Sequence, residues 1–462
     1  MKRPKLTTEQ IKQTENASIA EGASWSVMYG CGEQYVTPYA IRLGASTSEI
    51  GIISTVPSFL GAIFQLLGAK IVDTYKTRKN PVIFFSILQS LTLLPLFLIP
   101  LYTDSVLWLT IIFTLYLIFS NLIAPGWNSW IGEVVPDKER ARYFSKRNKI
   151  TLTYMLVTII LSGILLNYYE GINIWIGFGI LFTVAFIGRV VSIYYFYKHY
   201  EPEYIPTRDR SYTFKHFLAH INNNNFGHFI IYRSIMGLAV MIASPFFAVY
   251  MLKSVHFSYL QYSIIVLIPM IVKIFTFKYW GKYSDKFGNK NIMFISSFLV
   301  SIVPLAWFLT GYLIHEVSTI FVVLLFVEVI TGFAWAGFEL TTFNYVLETV
   351  PIDKRAKGIA YYNIIFGFTV LIGGLLGGWL IESNVISADT VANVLWIFLI
   401  SAITRAIVTF YFYHTLKELV VKKHVDEKKL FYEMLIGKPL HSAMHQTRHM
   451  IFLVKDKTGM KR

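Results

Sequence analysis

The 462-residue chain has little charge and almost no cysteine. Aspartate, glutamate, lysine and arginine make up 15% of it, whereas they make up about a quarter of a typical soluble protein. The single cysteine, Cys31, excludes an intrachain disulfide and does not indicate a redox compartment. The first twenty residues have no apolar centre or cleavage site, so we expect no cleaved signal peptide.

Patterns of enzyme chemistry are also missing from the sequence. No segment matches GxxxxGK[ST], the loop with which many ATP-driven proteins hold nucleotide phosphates. No Ser/His or His/Asp cluster lies beside an apolar run, as a membrane-embedded transferase would require. We therefore expect a protein that is not an enzyme, with no cofactor, no metal site and no catalytic residue.

What the chain does have is long apolar runs, which hold most of its 55% hydrophobic residues. A helix that crosses a bilayer needs about 20 mostly apolar residues. Twelve runs of that kind, numbered here as spans 1 to 12, lie at roughly 22–42, 48–69, 81–101, 105–132, 150–168, 173–197, 228–252, 259–280, 291–313, 317–347, 358–381 and 391–413. They predict an all-α protein that crosses a membrane twelve times.

The net charge of +15 is unevenly distributed along the chain. The N-terminus, the links after even-numbered spans and the C-terminal tail hold almost all of the lysine and arginine, whereas the opposite links hold Arg42 and Lys253. This positive-inside bias predicts that both termini are cytoplasmic, and we expect the plasma or inner membrane. It explains the basicity without a nucleic-acid partner, so the lipid bilayer is the expected surrounding.

Three stretches of the first half of the chain recur in the second half in the same order. "GAKIVDTYKTRKN" (68–80) parallels "GKYSDKFGNK" (281–290), and "GRVVSIYYFY" (188–197) parallels "TRAIVTFYFY" (404–413). "EVVPDKERARYFSKRN" (133–148) parallels "ETVPIDKRAKGIAYYN" (348–363), and the identities are Glu133, Pro136, Arg140, Ala141 and Asn148 with Glu348, Pro351, Arg355, Ala356 and Asn363. The recurrence predicts two pseudo-symmetric bundles of six helices.

The repeat suggests both a domain division and a class of function. The expected parts are a cytoplasmic N-terminus (1–21), a first six-helix bundle (22–199), a cytoplasmic linker (200–226), a second six-helix bundle (227–415) and a basic cytoplasmic tail (416–462). Parallel six-span repeats occur in secondary transporters, where the solute site lies near the middle of the bilayer between the halves.

The link between spans 8 and 9 carries a family resemblance. Gly281, Asp285, Lys286, Gly288 and Lys290 fit the pattern G-x-x-x-D-[RK]-x-G-[RK]-[RK] at every position except one, where asparagine replaces a basic residue. This loop resembles the signature of the major facilitator superfamily, and the first-half copy at 68–80 is a weaker match. The resemblance implies a twelve-helix transporter that works by alternating access.

The resemblance also implies a latch at the cytoplasmic side. Asp73 and Asp285 would be the latch carboxylates, with Arg78 and Lys286 as partners. The alternative is that these are ordinary solvated charges of a turn.

Four further arginines fall in repeat-equivalent pairs on the same side, namely Arg140 with Arg355 and Arg189 with Arg405. Equivalent positions in both halves favour a structural or gating role, because a single solute breaks the symmetry. For Arg189 and Arg405, we name Glu133 and Glu348 as the expected partners.

Polar and ionisable residues inside a span are energetically costly and usually face a cavity or a partner. In the superfamily that the chain resembles, spans 1, 4, 7 and 10 line the central cavity. The candidates for solute binding or proton coupling are Glu33, Gln34, Asn121, Asn128, Lys273, Glu328, Trp335 and Glu339.

Span 10 has a regular polar stripe. Glu328, Gly332, Trp335, Glu339 and Thr342 are spaced so that they share one face of a helix. This face suits a water-filled passage. The alternative is that tryptophan marks a membrane interface and the glutamates make contacts between helices.

The function we predict is secondary active transport of a small solute by a monomer. A buried carboxylate can bind and release a proton, so Glu33 or Glu328 is the expected coupling residue. The alternatives are a uniporter, a transporter-like receptor or scaffold, or an anionic solute held by Lys273. An ion pair between Lys273 and a neighbouring glutamate is an equal alternative to that last role.

Overall fold

The computed structural model describes residues 6–103, 105–204, 214–219, 221, 225–350, 355–383, 385–387 and 389–418. These residues form helices, turns and short links, with no strand among them. The helices are α1 (Thr8–Cys31), α2 (Val36–Arg42), α3 (Thr47–Tyr75), α4 (Lys79–Tyr102), α5 (Val106–Val134), α6 (Asp137–Glu170), α7 (Ile174–Tyr197), α8 (Phe214–Ala219), α9 (Asn225–Met241), α10 (Phe246–Val249), α11 (Tyr259–Phe287), α12 (Asn289–Leu313), α13 (Val317–Thr349), α14 (Arg355–Glu382) and α15 (Thr390–Thr415).

The helices confirm the predicted twelve-span, all-α membrane fold. Within the described ranges, eleven helical segments are long and apolar enough to cross a bilayer. The remaining span is span 1, which α1 and α2 form together. We call α1–α7 the first half and α9–α15 the second half. The terminal end of the bundle is where α1 begins, and the distal end is where α2 leads into α3.

Helix α1 begins well before the predicted start of span 1. Thr7 starts it with a capping box, in which its hydroxyl accepts from the Gln10 backbone N–H at 3.2 Å and its own N–H donates to the Gln10 side chain at 2.9 Å. The first part of α1 is also bonded to α6, since the Tyr143 hydroxyl donates to Ser18 Oγ at 2.7 Å. Most of the polar segment before residue 22 is therefore helix, an outcome that hydropathy alone did not indicate.

Span 1 is a broken helix. At Gly32 the backbone leaves the α conformation (φ −97°, ψ −84°), and a single 3₁₀ turn, Glu33–Tyr35, leads into α2. A glycine tolerates this conformation at little cost. The break lies inside the bundle, because the Tyr35 ring next to it is fully buried.

Span 7 is broken at the equivalent place. Helix α9 ends at Met241, residues 242–245 form a turn, and α10 runs into a π-helical turn, Tyr250–Ser254. Pro245 precedes α10, and its missing N–H prevents a continuous helix. The ends of α1 and α9 are 210 residues apart (241 − 31), which is close to the spacing of the sequence repeat. Both halves therefore break their first span.

Each half also caps its third span with a glutamate that the sequence analysis did not single out. The Glu201 carboxylate accepts from the backbone N–H groups of Arg78 and Lys79 at the start of α4. Glu418, which lies 217 residues later, accepts from the Lys290 N–H at 3.0 Å at the start of α12. A carboxylate at a helix N-terminus meets free N–H groups and the positive end of the helix dipole.

The halves pack closely where α14 crosses α3. The glycines of "GGLLGG" in span 11 form two faces: Gly373 and Gly377 lie against Leu238 and Ile242, while Gly374 and Gly378 lie against α3. A Cβ atom at Gly378 would approach the Ser48 Cα to 2.8 Å. Small residues at this spacing therefore let the helices approach closely.

We predict opposite effects from two alanine substitutions. Gly378→Ala should destabilise the protein by about 1–3 kcal/mol, because the new methyl group meets backbone rather than a flexible side chain. Gly132→Ala, in α5, has no neighbouring atom within 4 Å of the new Cβ and should be neutral or stabilising by up to about 1 kcal/mol. Thermal unfolding of the purified variants measures both effects. Equal melting temperatures for the two variants would contradict the packing argument.

Candidate functional site

A cavity of about 350 Å³ lies where the two broken helices meet. Both halves contribute to its wall. The lining residues are Tyr29, Glu33, Gln34, Val36, Thr37, Ile53, Ser54, Ser58, Phe113, Leu117, Met241, Ser244, Pro245, Phe247, Ala248, Met251, Tyr262 and Val266. We call it the central cavity. Its volume lies in the range of small-molecule sites.

The 3₁₀ turn of span 1 aims Glu33 and Gln34 at this cavity. The Glu33 carboxylate accepts a hydrogen bond from the hydroxyl of Tyr116 at 3.1 Å, which fixes one of its oxygens. Tyr35, which follows Gln34, points the other way: its hydroxyl donates to the Ile159 carbonyl at 2.7 Å and lies 2.6 Å from Ser263 Oγ. Tyr35 thereby joins the two halves on the distal side of the cavity.

On the opposite wall, side chains from α15 donate to peptide carbonyls at the break in span 7 and in the neighbouring helix α12. Ser401 Oγ donates to the Ala239 carbonyl at 2.5 Å. Arg405 donates to the carbonyls of Val240 at 3.3 Å and Val300 at 3.1 Å. The Val240 carbonyl also accepts from the N–H groups of Ala243 and Ser244, so Arg405 adds a further bond at this helix end and links it to α12.

A second cavity, of about 240 Å³, lies within the first half. Asn128 and Arg189 line it, together with Glu21, Trp25, Trp127 and Arg147. Arg147 pairs with Glu21 at 3.0 Å, and Ser192 Oγ donates to the same carboxylate at 3.2 Å. Arg189 donates to Ser86 at 3.0 Å and to Ser192 at 3.1 Å. The predicted candidate Asn128 is therefore near a buried charge network rather than in the central cavity.

Asn121 lies at a helix contact. Its amide donates to the Leu117 carbonyl of its own helix at 2.9 Å and packs against Gly61 of α3.

The polar stripe of span 10 contacts neighbouring helices. Glu328 is 7% exposed and accepts from the Trp307 indole N–H at 2.9 Å. Glu339 pairs with Lys273 of α11 at 2.8 Å, which is the ion pair that the sequence left as an alternative. The Trp335 ring lies against Phe338. No residue of α13 is among the described residues that line the central cavity, so a solute role for this stripe stays a prediction.

At the terminal end, Arg78 is nearly buried and holds several elements together. It forms an ion pair with Glu133, donates to Ser129 Oγ at 3.0 Å and donates to the Pro202 carbonyl at 3.3 Å. Asp73 accepts instead from the hydroxyl of Tyr204. The two residues therefore share a neighbourhood without pairing with each other.

The second-half copy of this loop is arranged differently. Within the described part of the chain, no ion pair joins Asp285 to Lys286, whose ammonium lies 4.7 Å from the Phe287 ring centroid. Arg140 donates to the Gly132 carbonyl at 2.7 Å. Arg355 begins α14, and its side chain lies outside the described residues.

The expected partners of two arginines were wrong. Glu133 pairs with Arg78 rather than with Arg189. Glu348 accepts from the Asn289 amide at 2.7 Å, and Arg405 binds backbone carbonyls. The physical reason is the position of the side chains within the bundle. Both arginines are buried, at 2% exposure, whereas the two glutamates lie near the ends of α5 and α13.

Sequence reasoning missed Glu382, one of the residues that join the halves at the distal end. The Glu382 carboxylate accepts from the Ser48 N–H at 2.8 Å, the Ser48 hydroxyl at 2.5 Å and the Thr47 hydroxyl at 3.1 Å. Lys253 donates to the Ala45 carbonyl at 2.6 Å nearby. Glu382 ends span 11 and therefore looks like an ordinary interfacial charge. The breaks were also missed, although Gly32 and Pro245 signal them.

Solved structures with this fold include transporters. The crystal structure of the nucleoside transporter NupG superimposes with a TM-score of 0.64 and 14% identity, over 89% of this chain and 100% of that one. A POT family transporter in complex with 5-aminolevulinic acid superimposes with a TM-score of 0.67 and 14% identity, over 89% of this chain and 97% of that one. These likenesses confirm the fold.

Sequence comparison identifies the family. A curated relative, MFS transporter L2 of Phoma sp. (strain ATCC 20986 / MF5453), is 31% identical over 98 residues, which are 21% of this chain and 15% of that protein. The family model described as "MFS_1 like family" matches residues 26–393. With eleven membrane-length helices among the described residues, a paired break around a central cavity and this match, the chain belongs to the MFS_1 like family of major facilitator superfamily transporters.

Proposed function

We propose that this protein moves a small solute across the membrane by alternating access, coupled to protons. The observation that carries the proposal is the central cavity, which both halves line at the point where their first spans break. Interrupted helices at equivalent positions of two repeats are typical of transporter solute sites. A cavity that lies between the two halves can also be opened to either side of the membrane when the halves tilt relative to each other.

The contacts between the halves support access from the terminal end in this conformation. Tyr35 with Ser263, Glu382 with the first turn of α3, and Lys253 with Ala45 close the bundle toward the distal end. The positive-inside bias assigns the terminal end to the cytoplasm. The protein is then an inward-facing monomer of the plasma or inner membrane, with the bundle and linker boundaries proposed from the sequence.

At the terminal end, we propose that the Arg78–Glu133 pair holds the link between α3 and α4 in the shape needed for closure. Asp73 and Asp285 would then be the residues that meet the opposite half when this end closes.

Glu33 is the proposed proton-coupling residue. Of the two sequence candidates, Glu33 lines the central cavity, whereas Glu328 is buried between α12 and α13 and bound by Trp307. A coupling group must exchange protons with water and sense the solute, which requires access to the cavity.

We predict that Glu33→Gln abolishes gradient-driven solute accumulation while leaving solute exchange, because glutamine preserves the shape but cannot bind and release a proton. The measurement uses purified protein in liposomes, with solutes found by ligand-induced thermal stabilisation and then tested with and without an imposed pH gradient. Glu328→Gln is the matched control and should retain coupling. Full gradient dependence in Glu33→Gln would refute the assignment.

A uniporter is the alternative in the same assay. It would move solute down its own gradient in the unmodified protein, with no response to the pH gradient. A receptor or scaffold would bind solute and move none.

The distal contact of Glu382 is the proposed seal of the inward-facing state. Two of its three hydrogen-bond donors are side-chain hydroxyls and one is the backbone N–H of Ser48, all on α3 of the other half. Opening toward the distal end must break all three bonds.

We predict that Glu382→Gln shifts the protein toward the distal-open state. A neutral acceptor weakens the three bonds by about 1 kcal/mol in total at this exposed position, a roughly fivefold change in the equilibrium. Spin labels on cysteines placed at the exposed distal positions Gly171 and His315, in a Cys31→Ser background, report the separation of the halves.

Glu49→Gln is the matched control for this experiment. It removes a carboxylate from the same helix start, but Glu49 bonds Ser46 within its own half. Equal distance distributions for Glu382→Gln and Glu49→Gln would exclude the seal.

A further inference from the structure

The charge of the central cavity points to a class of solute. Its described lining residues include one carboxylate, Glu33, and no lysine, arginine or histidine. The remaining polar lining is neutral and consists of hydroxyl groups and one amide. A group of negative charge entering this space would find no cationic side chain among these residues.

Three cations of the second half are engaged outside the lining of this cavity. Lys273 pairs with Glu339, and Lys253 donates to the Ala45 carbonyl. Arg233 lies over the rings of Phe338 and Phe366, with its guanidinium 5.0 and 4.5 Å from their centroids. The Glu33 carboxylate is bound by the neutral hydroxyl of Tyr116. Its negative charge is therefore available to the cavity.

The backbone adds to the negative potential on this wall. Helix α1 has 24 residues and ends at Cys31, two residues before Glu33. The carboxyl end of a long helix carries a partial negative charge that favours cations. The opposing start of α2 belongs to a helix of seven residues. On the second-half wall, Arg405 binds the Val240 carbonyl from behind and offsets the equivalent end of α9.

Aromatic rings complete the site. Tyr29, Phe113, Phe247 and Tyr262 are all part of the cavity wall. The faces of such rings attract ammonium groups, most strongly where water is excluded. The hydroxyls of Ser54, Ser58 and Ser244 are available to accept hydrogen bonds from N–H donors.

We infer that the central cavity binds a small organic cation, an amine whose ammonium group pairs with Glu33 and whose apolar body lies against the aromatic rings. This inference rests on the proposed transport function, because it treats the cavity as the solute site. It goes further in naming the charge and the chemical class of the solute.

Three indole compounds of similar shape and different charge test the inference. Tryptamine is a cation, tryptophol is neutral and indole-3-acetate is an anion. Binding to the purified full-length protein is measured by calorimetry in mildly alkaline buffer, where a carboxyl group releases its proton. Tryptamine should bind roughly tenfold more tightly than tryptophol, and indole-3-acetate should bind most weakly.

Three variants show whether Glu33 is responsible. Glu33→Gln should remove the advantage of tryptamine over tryptophol, whereas Glu33→Asp, which keeps the charge, should retain most of it. Glu328→Gln should bind like the unmodified protein, because Glu328 is outside the cavity lining. Variants are compared only if they elute as monodisperse particles, and the ranking of the three compounds on the unmodified protein keeps the inference falsifiable if Glu33→Gln misfolds.

The outcomes separate this inference from the proposed function. Tighter binding of indole-3-acetate, equal binding of all three compounds, no binding of tryptamine, or an unchanged preference in Glu33→Gln each overturns the inference and leaves transport standing. Amine-selective binding without any flux in liposomes would support the site and refute transport.

Discussion

A backbone that leaves the α-helix inside a bilayer must satisfy its peptide groups without help from lipid. Both halves of this protein meet that constraint around one cavity. In span 1 the break at Gly32 closes into a 3₁₀ turn, and in span 7 the carbonyls before Pro245 are bound by Ser401 and Arg405. The cost of breaking two helices is acceptable only where the freed groups find protein or water. The position of the site follows from that condition.

The same constraint explains why Arg189 and Arg405, which occupy equivalent positions in the repeat, have different hydrogen-bond partners. Arg405 supports the broken end of α9, while Arg189 belongs to a network of serines and Glu21 inside the first half. Duplication gives the two halves equivalent side chains, but the two walls of the cavity differ in the chemical groups that they present. One presents a carboxylate and the other presents a neutral surface.

The fold could be predicted from sequence because run length and the side-to-side distribution of lysine and arginine are strong, additive signals. The site was predicted in part. Glu33 stands out as a carboxylate in an apolar run, and its break could have been read from Gly32. Spacing placed Glu328 and Glu339 on one face of α13, but helix periodicity does not determine which neighbour that face meets. Trp307 donates a hydrogen bond to Glu328, and Lys273 forms an ion pair with Glu339. Both partners come from other helices, so only the packed bundle reveals them.

The contact between Glu382 and α3 differs from a salt bridge because no positively charged side chain of the described residues is bonded to the carboxylate. Its partner is a helix end and two hydroxyls rather than a lysine or arginine. A charge-swap experiment therefore has no second charged side chain to exchange, because none of the groups on α3 that bond Glu382 is cationic. This contact therefore depends on where the first turn of α3 lies, and not on the ionisation of a partner side chain.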